Sequence, residues 1–154
     1  MTMHHGALPT LVSLLICDQV IDDKLSNKKS AIGMFNAVLV PQTPTTIQQM
    51  AVLASVTELT ARVEMEIRLV RDADNSIIFS GRGFVEAPNP LSVVDLLFSL
   101  QGIQLPAPGQ YAFEILVGGE PLGRRRFQVF VRPRRPAPPG GAEPPATTPG
   151  EPTA

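Results

Sequence analysis

The feature that most constrains the fold of this chain is the strict alternation of side chains between Ala61 and Arg71 (ARVEMEIRLVR). Apolar side chains occupy every second position, and charged side chains occupy most of the positions between them. A period of two is that of a strand with one face buried and one face in water, whereas a helix would spread these charges around its surface. The sequence therefore predicts a half-buried β-strand here.

The residues that follow this strand predict a hairpin. Asp72–Ser76 (DADNS) is a cluster of turn-forming residues, and Ile77–Glu86 (IIFSGRGFVE) resumes as a return strand. Gly81 and Gly83 inside the return strand indicate a bulge or a close backbone approach.

Further apolar runs recur along the chain between proline-containing connections. This spacing predicts an all-β fold, an antiparallel immunoglobulin-like (Greek-key) β-sandwich of about 7 to 9 strands. Residues 91–101 (LSVVDLLFSLQ) contain good helix formers, but their alternation favours a strand. The other predicted strands are Leu11–Val20, Ser30–Val40, Met50–Leu59, Gln110–Val117 and Arg124–Arg132.

The two ends of the chain differ in composition from the part between them. Residues 1–9 are small or polar and end in a proline, so we expect a flexible leader. Residues 133–154 are rich in proline and have almost no aliphatic side chains, so they cannot bury enough apolar surface to offset their ordering entropy. We therefore predict one domain over residues 10–132 and a disordered proline-rich tail.

Charge and cysteine usage restrict the compartment and the partners. The chain has 13 Lys+Arg against 14 Asp+Glu, so it has no global field that would attract nucleic acid or an anionic membrane. Its single cysteine, Cys17, cannot form an internal disulfide, which favours the cytoplasm. The apolar run Leu11–Cys17 is short and lacks a preceding basic residue, so we interpret it as a buried strand and expect no membrane partner.

The most specific local signal is Tyr111, which follows the turn Pro108–Gly109 at the entry to a late strand. A tyrosine in this place resembles the tyrosine corner of immunoglobulin-like sandwiches, whose hydroxyl ties the crossing loop to the strand. We therefore assign Tyr111 a structural role.

Two stretches of the chain together resemble a family of short bacterial proteins of unknown function. They are LVSLLICDQVIDDKLSNKKSAIGMFNAV near the start and LPAPGQYAFEILVGGEPLGRRRFQVFV near the end. The resemblance implies a compact β-sandwich and no assigned activity, so it transfers no functional residues to this chain.

The residues that usually carry chemistry do not form a recognisable site. The two histidines, His4 and His5, fall in the predicted leader, and Cys17 falls in an apolar run, where a thiol behaves as a small hydrophobe. Asp72–Asn75 lacks the glycine and the terminal glutamate of a calcium loop. We expect no catalytic residues, no metal and no cofactor.

A cluster of both charges lies between the first two predicted strands. It could supply paired carboxylates to an enzyme or to an accessory domain of one, or it could be a solvated loop with weak ion pairs. Both interpretations stay open here. Its members are Asp18, Asp22, Asp23, Lys28 and Lys29.

A basic stretch from Arg124 to Arg135 suggests a further alternative, the binding of an anionic polymer. Strand alternation, however, directs Phe127 inward, away from the surface that would carry the arginines. Glutamates on neighbouring strands also offer compensating charge. We therefore expect nucleic acid not to be a partner.

The leading hypothesis is a non-enzymatic protein-binding or assembly module whose partner is another protein or a second copy of the chain. We place the interface on the outer face of the last two strands, where Glu114 is expected to lie opposite Arg126 in an ion pair between apolar Leu116 and Phe130. The candidate interface residues are Ala112, Glu114, Leu116, Arg126, Gln128 and Phe130.

Overall fold

The computed structural model describes residues 7–134, which form nine β-strands and no helix that could span a membrane. The strands are β1 (Thr10–Asp23), β2 (Lys28–Met34), β3 (Ala37–Val40), β4 (Thr45–Thr57), β5 (Val63–Arg71), β6 (Ile77–Val85), β7 (Val94–Leu105), β8 (Gly109–Val117) and β9 (Glu120–Val131). The predicted leader falls partly, and the predicted tail almost wholly, outside the described residues.

The strands form two sheets that pack as a sandwich. One sheet has four strands in the order β2-β1-β4-β7, and the other has five in the order β3-β9-β8-β5-β6. All neighbouring strands are antiparallel except β3 and β9. The predicted all-β sandwich is confirmed, and residues 91–101 contribute to a strand, β7.

The core lies between the inner faces of the two sheets. On β5 the predicted alternation is confirmed, because Met65, Ile67 and Leu69 are buried in the core cluster. The ring of Phe127 on β9 stacks between those of Tyr111 and Phe113 on β8, with centroid separations of 5.8 Å to each. These aromatic rings fix β8 and β9 against the other sheet.

The Tyr111 hydroxyl ties the β7–β8 connection to β8. It donates a hydrogen bond to the Ala107 carbonyl at 2.6 Å and accepts one from the Ala107 N–H at 3.3 Å. The ring is fully buried. The hydrogen bond that the tyrosine signal predicts is therefore present.

The predicted strand Ser30–Val40 is wrong as a single element. Residues 28–34 pair with β1 in one sheet, and residues 37–40 pair with β9 in the other. The chain changes sheets at Phe35, whose ring packs edge-on against Phe127 at a centroid distance of 6.1 Å. The partly buried Phe35 side chain packs against the core where the backbone crosses the sandwich, a contact that alternation along the sequence could not reveal.

Candidate functional site

The outer face of the five-stranded sheet is covered with ion pairs. Glu66 accepts a hydrogen bond from Arg68 at 2.7 Å, and Arg82 lies 3.7 Å from Glu64 and 3.9 Å from Glu66. Arg126 is 3.0 Å from Asp72 on the same face. A shallow groove of about 500 Å³ is lined largely by these charged side chains of β5 and β6. We call this surface the charged face.

The pairing on the charged face affects the ionisation of Glu66. The hydrogen bond from Arg68 lowers the pKa of Glu66, and a hydrogen bond from the Ser80 hydroxyl acts in the same direction against the cost of desolvation. The same contact raises the pKa of Arg68. Glu66 is therefore a structural ion-pair partner, held in its charged form.

The C-terminal surface that the sequence predicts as an interface belongs to this charged face. Ala112 and Leu116 are buried, so Leu116 offers no apolar contact to a partner. The expected pairing of Glu114 with Arg126 is also wrong, because Glu114 lies opposite Arg124 and bonds to it. Only Phe130, which is 52% exposed, is an exposed large apolar side chain among the six candidates.

The shift in register has a local cause. Gly118 and Gly119 form a two-residue turn with φ values of 58° and 82°, so that Val117 lies opposite Glu120. A bulge then displaces the pairing between Ile115 and Leu116. Together these features bring Arg124, and not Arg126, opposite Glu114.

The first three arginines of the basic stretch are engaged within the domain, whereas Arg132 and Arg134 are exposed. Arg124 bonds to Glu114 and lies 4.0 Å from Asp72, which also binds Arg126. Arg125 extends towards the four-stranded sheet, where it donates to the Leu14 carbonyl at 3.5 Å and to the Asn36 side chain at 2.9 Å. These three guanidinium groups therefore have partners inside the domain. Arg135 lies outside the described residues.

The predicted charged loop is mostly a pair of strands. β1 continues to Asp23 and β2 begins at Lys28, so that Asp22 lies opposite Lys29 and Asp23 opposite Lys28. Asp22 contacts Lys24 at 2.6 Å, and this hydrogen bond lowers the pKa of Asp22.

Asp23 closes the turn between these strands. Its carboxylate accepts hydrogen bonds from the Ser26 hydroxyl at 2.8 Å and the Leu25 N–H at 2.9 Å, and these lower its pKa. Asp18 lies on the same hairpin, against Gly33. Asp22 and Asp23 support the hairpin, whereas Asp18 lines the groove at the base of the arm, so the three carboxylates do not converge on one pocket in the described chain.

This hairpin projects from the sandwich. Pairing between β1 and β4 stops at Cys17 and Ala51, and beyond that point β1 pairs with β2 alone. No residue between 18 and 34 is buried. We call residues 18–34 the arm. Its exposed large apolar side chains are Ile21, Leu25, Ile32 and Met34.

The outer face of the four-stranded sheet is uncharged. A row of Leu15, Leu53 and Leu97 crosses β1, β4 and β7, and the next row contains Cys17, Ala51 and Ser99. Leu53, Cys17 and Ala51 are buried at the centre of this face, whereas Leu15 and Leu97 are half-buried and Ser99 is exposed. The arm extends this face, because Ile32 and Met34 lie opposite Gln19 and Cys17. We call this surface the uncharged face. Its members are Leu15, Cys17, Gln19, Ile32, Met34, Gln49, Ala51, Leu53, Leu97, Ser99 and Gln101.

Charged side chains occur only at the two ends of the uncharged face. Asp95 lies at one end, where it accepts a hydrogen bond from the Ser55 hydroxyl at 2.6 Å. Asp23 and Lys28 lie at the other end, near the tip of the arm. The paired strands between these positions therefore present no charge to solvent on this face.

Cys17 lies on the uncharged face but is not reactive. Its side chain is fully buried and contacts the Ala51 carbonyl at 3.7 Å. Desolvation raises the pKa of the thiol, so little thiolate forms at neutral pH. Residues 7–134 also contain no cluster of three or more metal-ligating side chains. His4 and His5 lie outside the described residues.

Two grooves border the arm and the far end of the sandwich. One, of about 420 Å³, lies under the base of the arm and is lined mainly by apolar side chains, including Met34, Phe35 and Leu39. The other, of about 540 Å³, lies between Pro44, Ile77 and Pro106. Neither contains paired acid–base groups suited to catalysis.

The distribution of charged residues among the strands could have indicated the uncharged face, which the overall composition of the chain does not reveal. β4 (TTIQQMAVLASVT) has no charged residue, and β7 (VDLLFSLQGIQL) has one, whereas β5 carries a charge at almost every outward position. In a two-layer sandwich, a strand without charges presents an uncharged outer face as well as a buried inner one.

Comparisons with known proteins give a family and a distant structural likeness. The sequence profile of a family of unknown function, DUF6941, matches residues 12–130. No curated protein matches the chain. The structure of the Pseudomonas fluorescens alkylpurine DNA glycosylase AlkC, bound to DNA containing an abasic site analog, is similar with a TM-score of 0.48 and 10% identity, over 80% of this chain and 31% of the glycosylase. The chain thus spans less than a third of the glycosylase's length, and identity this low transfers no activity to it.

Proposed function

Since the chain belongs to DUF6941, a family of unknown function, its role follows from its own surface, and we propose that it is a non-enzymatic module that binds another protein. The observation that supports this most strongly is the contrast between the charged face and the uncharged face. The partner is a protein that presents a matching uncharged, partly apolar surface.

The apolar side chains of the uncharged face that reach solvent support this proposal. Leu15 and Leu97 are half-buried, and Ile32 and Met34 are exposed. Exposed apolar side chains grouped on one face are a feature of protein interaction sites. Because this face carries no charge, covering it would bury no unpaired ion.

The chemistry of the uncharged face also argues against the other candidate functions. It offers no cation to a phosphate backbone, and Arg124, Arg125 and Arg126 are bonded within the domain. Asp22 and Asp23 in the arm are bonded to neighbouring side chains and to the turn backbone, and Asp18 lines the groove at the base of the arm without a second carboxylate beside it, so the enzyme alternative has no paired carboxylates in the described residues.

We also propose an immunoglobulin-like sandwich and a cytoplasmic location. The parallel pairing of β3 with β9, the hairpin β8–β9 and the Tyr111–Ala107 hydrogen bond support the first. The single buried thiol of Cys17 supports the second, because the fold needs no disulfide.

The proposal is tested with two lysine substitutions at exposed strand positions. Ser99→Lys places a charge in the uncharged face, and Gln110→Lys places the same charge on the charged face. The full-length chain is purified with its partner from the source cells, the partner is identified, and binding of the two purified proteins is measured by titration calorimetry.

We expect Ser99→Lys to weaken binding by about tenfold or more, because an interfacial lysine without a partner must be desolvated. Gln110→Lys should leave the affinity within about twofold. The reverse order of effects, or equal binding by both variants, would contradict the proposal.

A further inference from the structure

The groove at the base of the arm is apolar except at one point. It has a volume of about 420 Å³, and its walls include the exposed side chains of Met34 and Leu39 and the half-buried side chains of Phe35 and Ile47. Asp18 is the one charged residue among the described residues that line it. A single negative charge thus lies at the wall of an otherwise uncharged groove.

The Asp18 carboxylate has no partner among the described residues. It is exposed, and within residues 7–134 it forms neither an ion pair nor a hydrogen bond, whereas Asp22 contacts Lys24 and Asp23 accepts a hydrogen bond from Ser26. Arg125 bonds to the Asn36 side chain and does not line the groove. The described part of the chain therefore supplies no cation to neutralise Asp18.

Gly33 allows the carboxylate to lie against the backbone of β2. A Cβ atom at position 33 would overlap the Asp18 carboxylate. Gly33 also has a φ of 70°, which residues with a side chain rarely adopt. The location of the carboxylate in the groove therefore depends on a backbone conformation that favours glycine at this position.

An apolar groove with one carboxylate is complementary to a cation at the end of an apolar stem. Lysine and arginine side chains have this form, because their methylene groups lie along apolar surface while the charged group stays polar. The groove volume is within the range of pockets that hold small ligands, about 300 to 1,000 Å³, so it has room for one such side chain. A wholly apolar occupant would instead desolvate Asp18 without pairing it.

We propose that the groove receives a lysine or arginine side chain of the protein partner, with its stem against Met34 and Leu39 and its charged group on the Asp18 carboxylate. This inference rests on the proposed function, and it names a residue class that the partner presents. Continuity of the surface supports a protein as the source, because Met34 and Gln49 line the groove and also belong to the uncharged face. A partner chain that lies on the uncharged face therefore reaches the groove.

The first test uses small probes and needs no partner. The isotope-labelled full-length chain is titrated with butylammonium, which reproduces a lysine side chain, with methylammonium, which has the charge without the stem, and with butanol, which has the stem without the charge. We expect butylammonium at millimolar concentrations to shift the amide NMR signals of residues 33–39. The other two probes should bind about fivefold more weakly or less tightly still.

Two matched variants identify the carboxylate that is responsible. Asp18→Asn and Asp22→Asn each remove one negative charge from β1 of the arm, but only Asp18 lines the groove, since Asp22 is paired with Lys24. Asp18→Asn should raise the dissociation constant of butylammonium by about fivefold, and Asp22→Asn should change it by less than about twofold. Thermal melts of both variants verify that they fold.

The second test measures the affinity of the purified partner by calorimetry at low and high salt. Asp18→Asn should weaken binding by about fivefold, and Asp18→Lys by about tenfold or more, because like charges then meet in the groove. Asp18→Asn should also reduce the salt dependence of the affinity, since one ion pair is lost. Asp22→Asn should leave the affinity within about twofold of wild type.

The outcomes separate this inference from the proposed function. Absence of shifts at residues 33–39 with butylammonium, or equal shifts in Asp18→Asn, would overturn the inference, and so would partner binding that Asp18→Lys leaves unchanged. Ser99→Lys tests the proposed function independently, because Ser99 lies on β7 and does not line the groove. Loss of partner binding in Ser99→Lys without any loss in Asp18→Lys would refute the groove alone.

Discussion

The sandwich body and the arm are both built from strand-forming residues, but they differ in the interactions that stabilise them. In the body every strand except β6 has a buried side chain, and Phe127, Tyr111 and Phe113 stack at its centre. In the arm no side chain is buried, and Leu25 at the tip is fully exposed. The body is therefore stabilised by core packing, whereas the arm is stabilised by strand pairing and by the local hydrogen bonds of its turn.

The largest expected effect tests this difference directly. Phe127→Ala should destabilise the domain by about 3 to 5 kcal/mol, because it removes a buried ring and leaves a cavity between the sheets. Leu25→Ala in the arm should change stability by less than about 0.5 kcal/mol. Chemical denaturation of both variants measures the two values, and a large effect of Leu25→Ala would show that the arm packs on the body.

A smaller effect is expected at the connection between the sheets. Tyr111→Phe should cost about 1 to 2 kcal/mol, since it leaves the Ala107 carbonyl without its hydrogen-bond donor while the ring stays in place. The fold should persist, as judged by circular dichroism. A neutral result in denaturant melts would remove the support that Tyr111 gives to the immunoglobulin-like fold.

The ion pairs of the charged face should contribute less to stability than Phe127 or Tyr111 does, and their contribution should depend on pH. The pKa of Glu66 is lowered in the folded state, so its ion pairs stabilise the protein above the ordinary carboxyl pKa of about 4.3 and stop doing so as the pH falls through the lowered value. Glu66→Gln should therefore lower the melting temperature near neutral pH and should match wild type in strong acid.

Glu64→Gln is the matched control for this pH dependence, because Glu64 is more exposed and its contact with Arg82 is longer, at 3.7 Å. It should show a smaller difference from wild type at neutral pH. A Glu66→Gln effect that is the same at all pH values would mean that shape, and not charge, is responsible.

The smallest expected effect is at the C-terminus. The proline-rich composition of residues 135–154, which lie outside the described residues, predicts that deleting them leaves the melting temperature unchanged. Differential scanning calorimetry of the full chain and of the chain ending at Arg134 makes the comparison. A fall of several degrees would show that this segment stabilises the domain.

Most of the fold could be predicted because alternation is a local property. The strict period of two from Val63 to Leu69 indicated which face of β5 is buried, and the turn residues Asp74 and Ser76 indicated where the hairpin reverses. The position of the interface could not be predicted in the same way. Phe130 was expected to share an exposed patch with Leu116, but Leu116 is buried and lies at the other end of the β8–β9 pair, opposite Pro121.

The sequence by itself determined which segments form strands, which aromatic side chains point inward and that Tyr111 makes its hydrogen bond. Each of these features depends on residues that are close together along the chain. Only the tertiary structure decided that Ser30–Val40 divides between two sheets, that Glu114 pairs with Arg124, and that residues 18–34 leave the sandwich as an arm. These features depend on where distant strands meet, as when Phe35 packs on Phe127. The alternation within a strand indicates which side chains share a face, but the neighbouring strands determine what each face contacts.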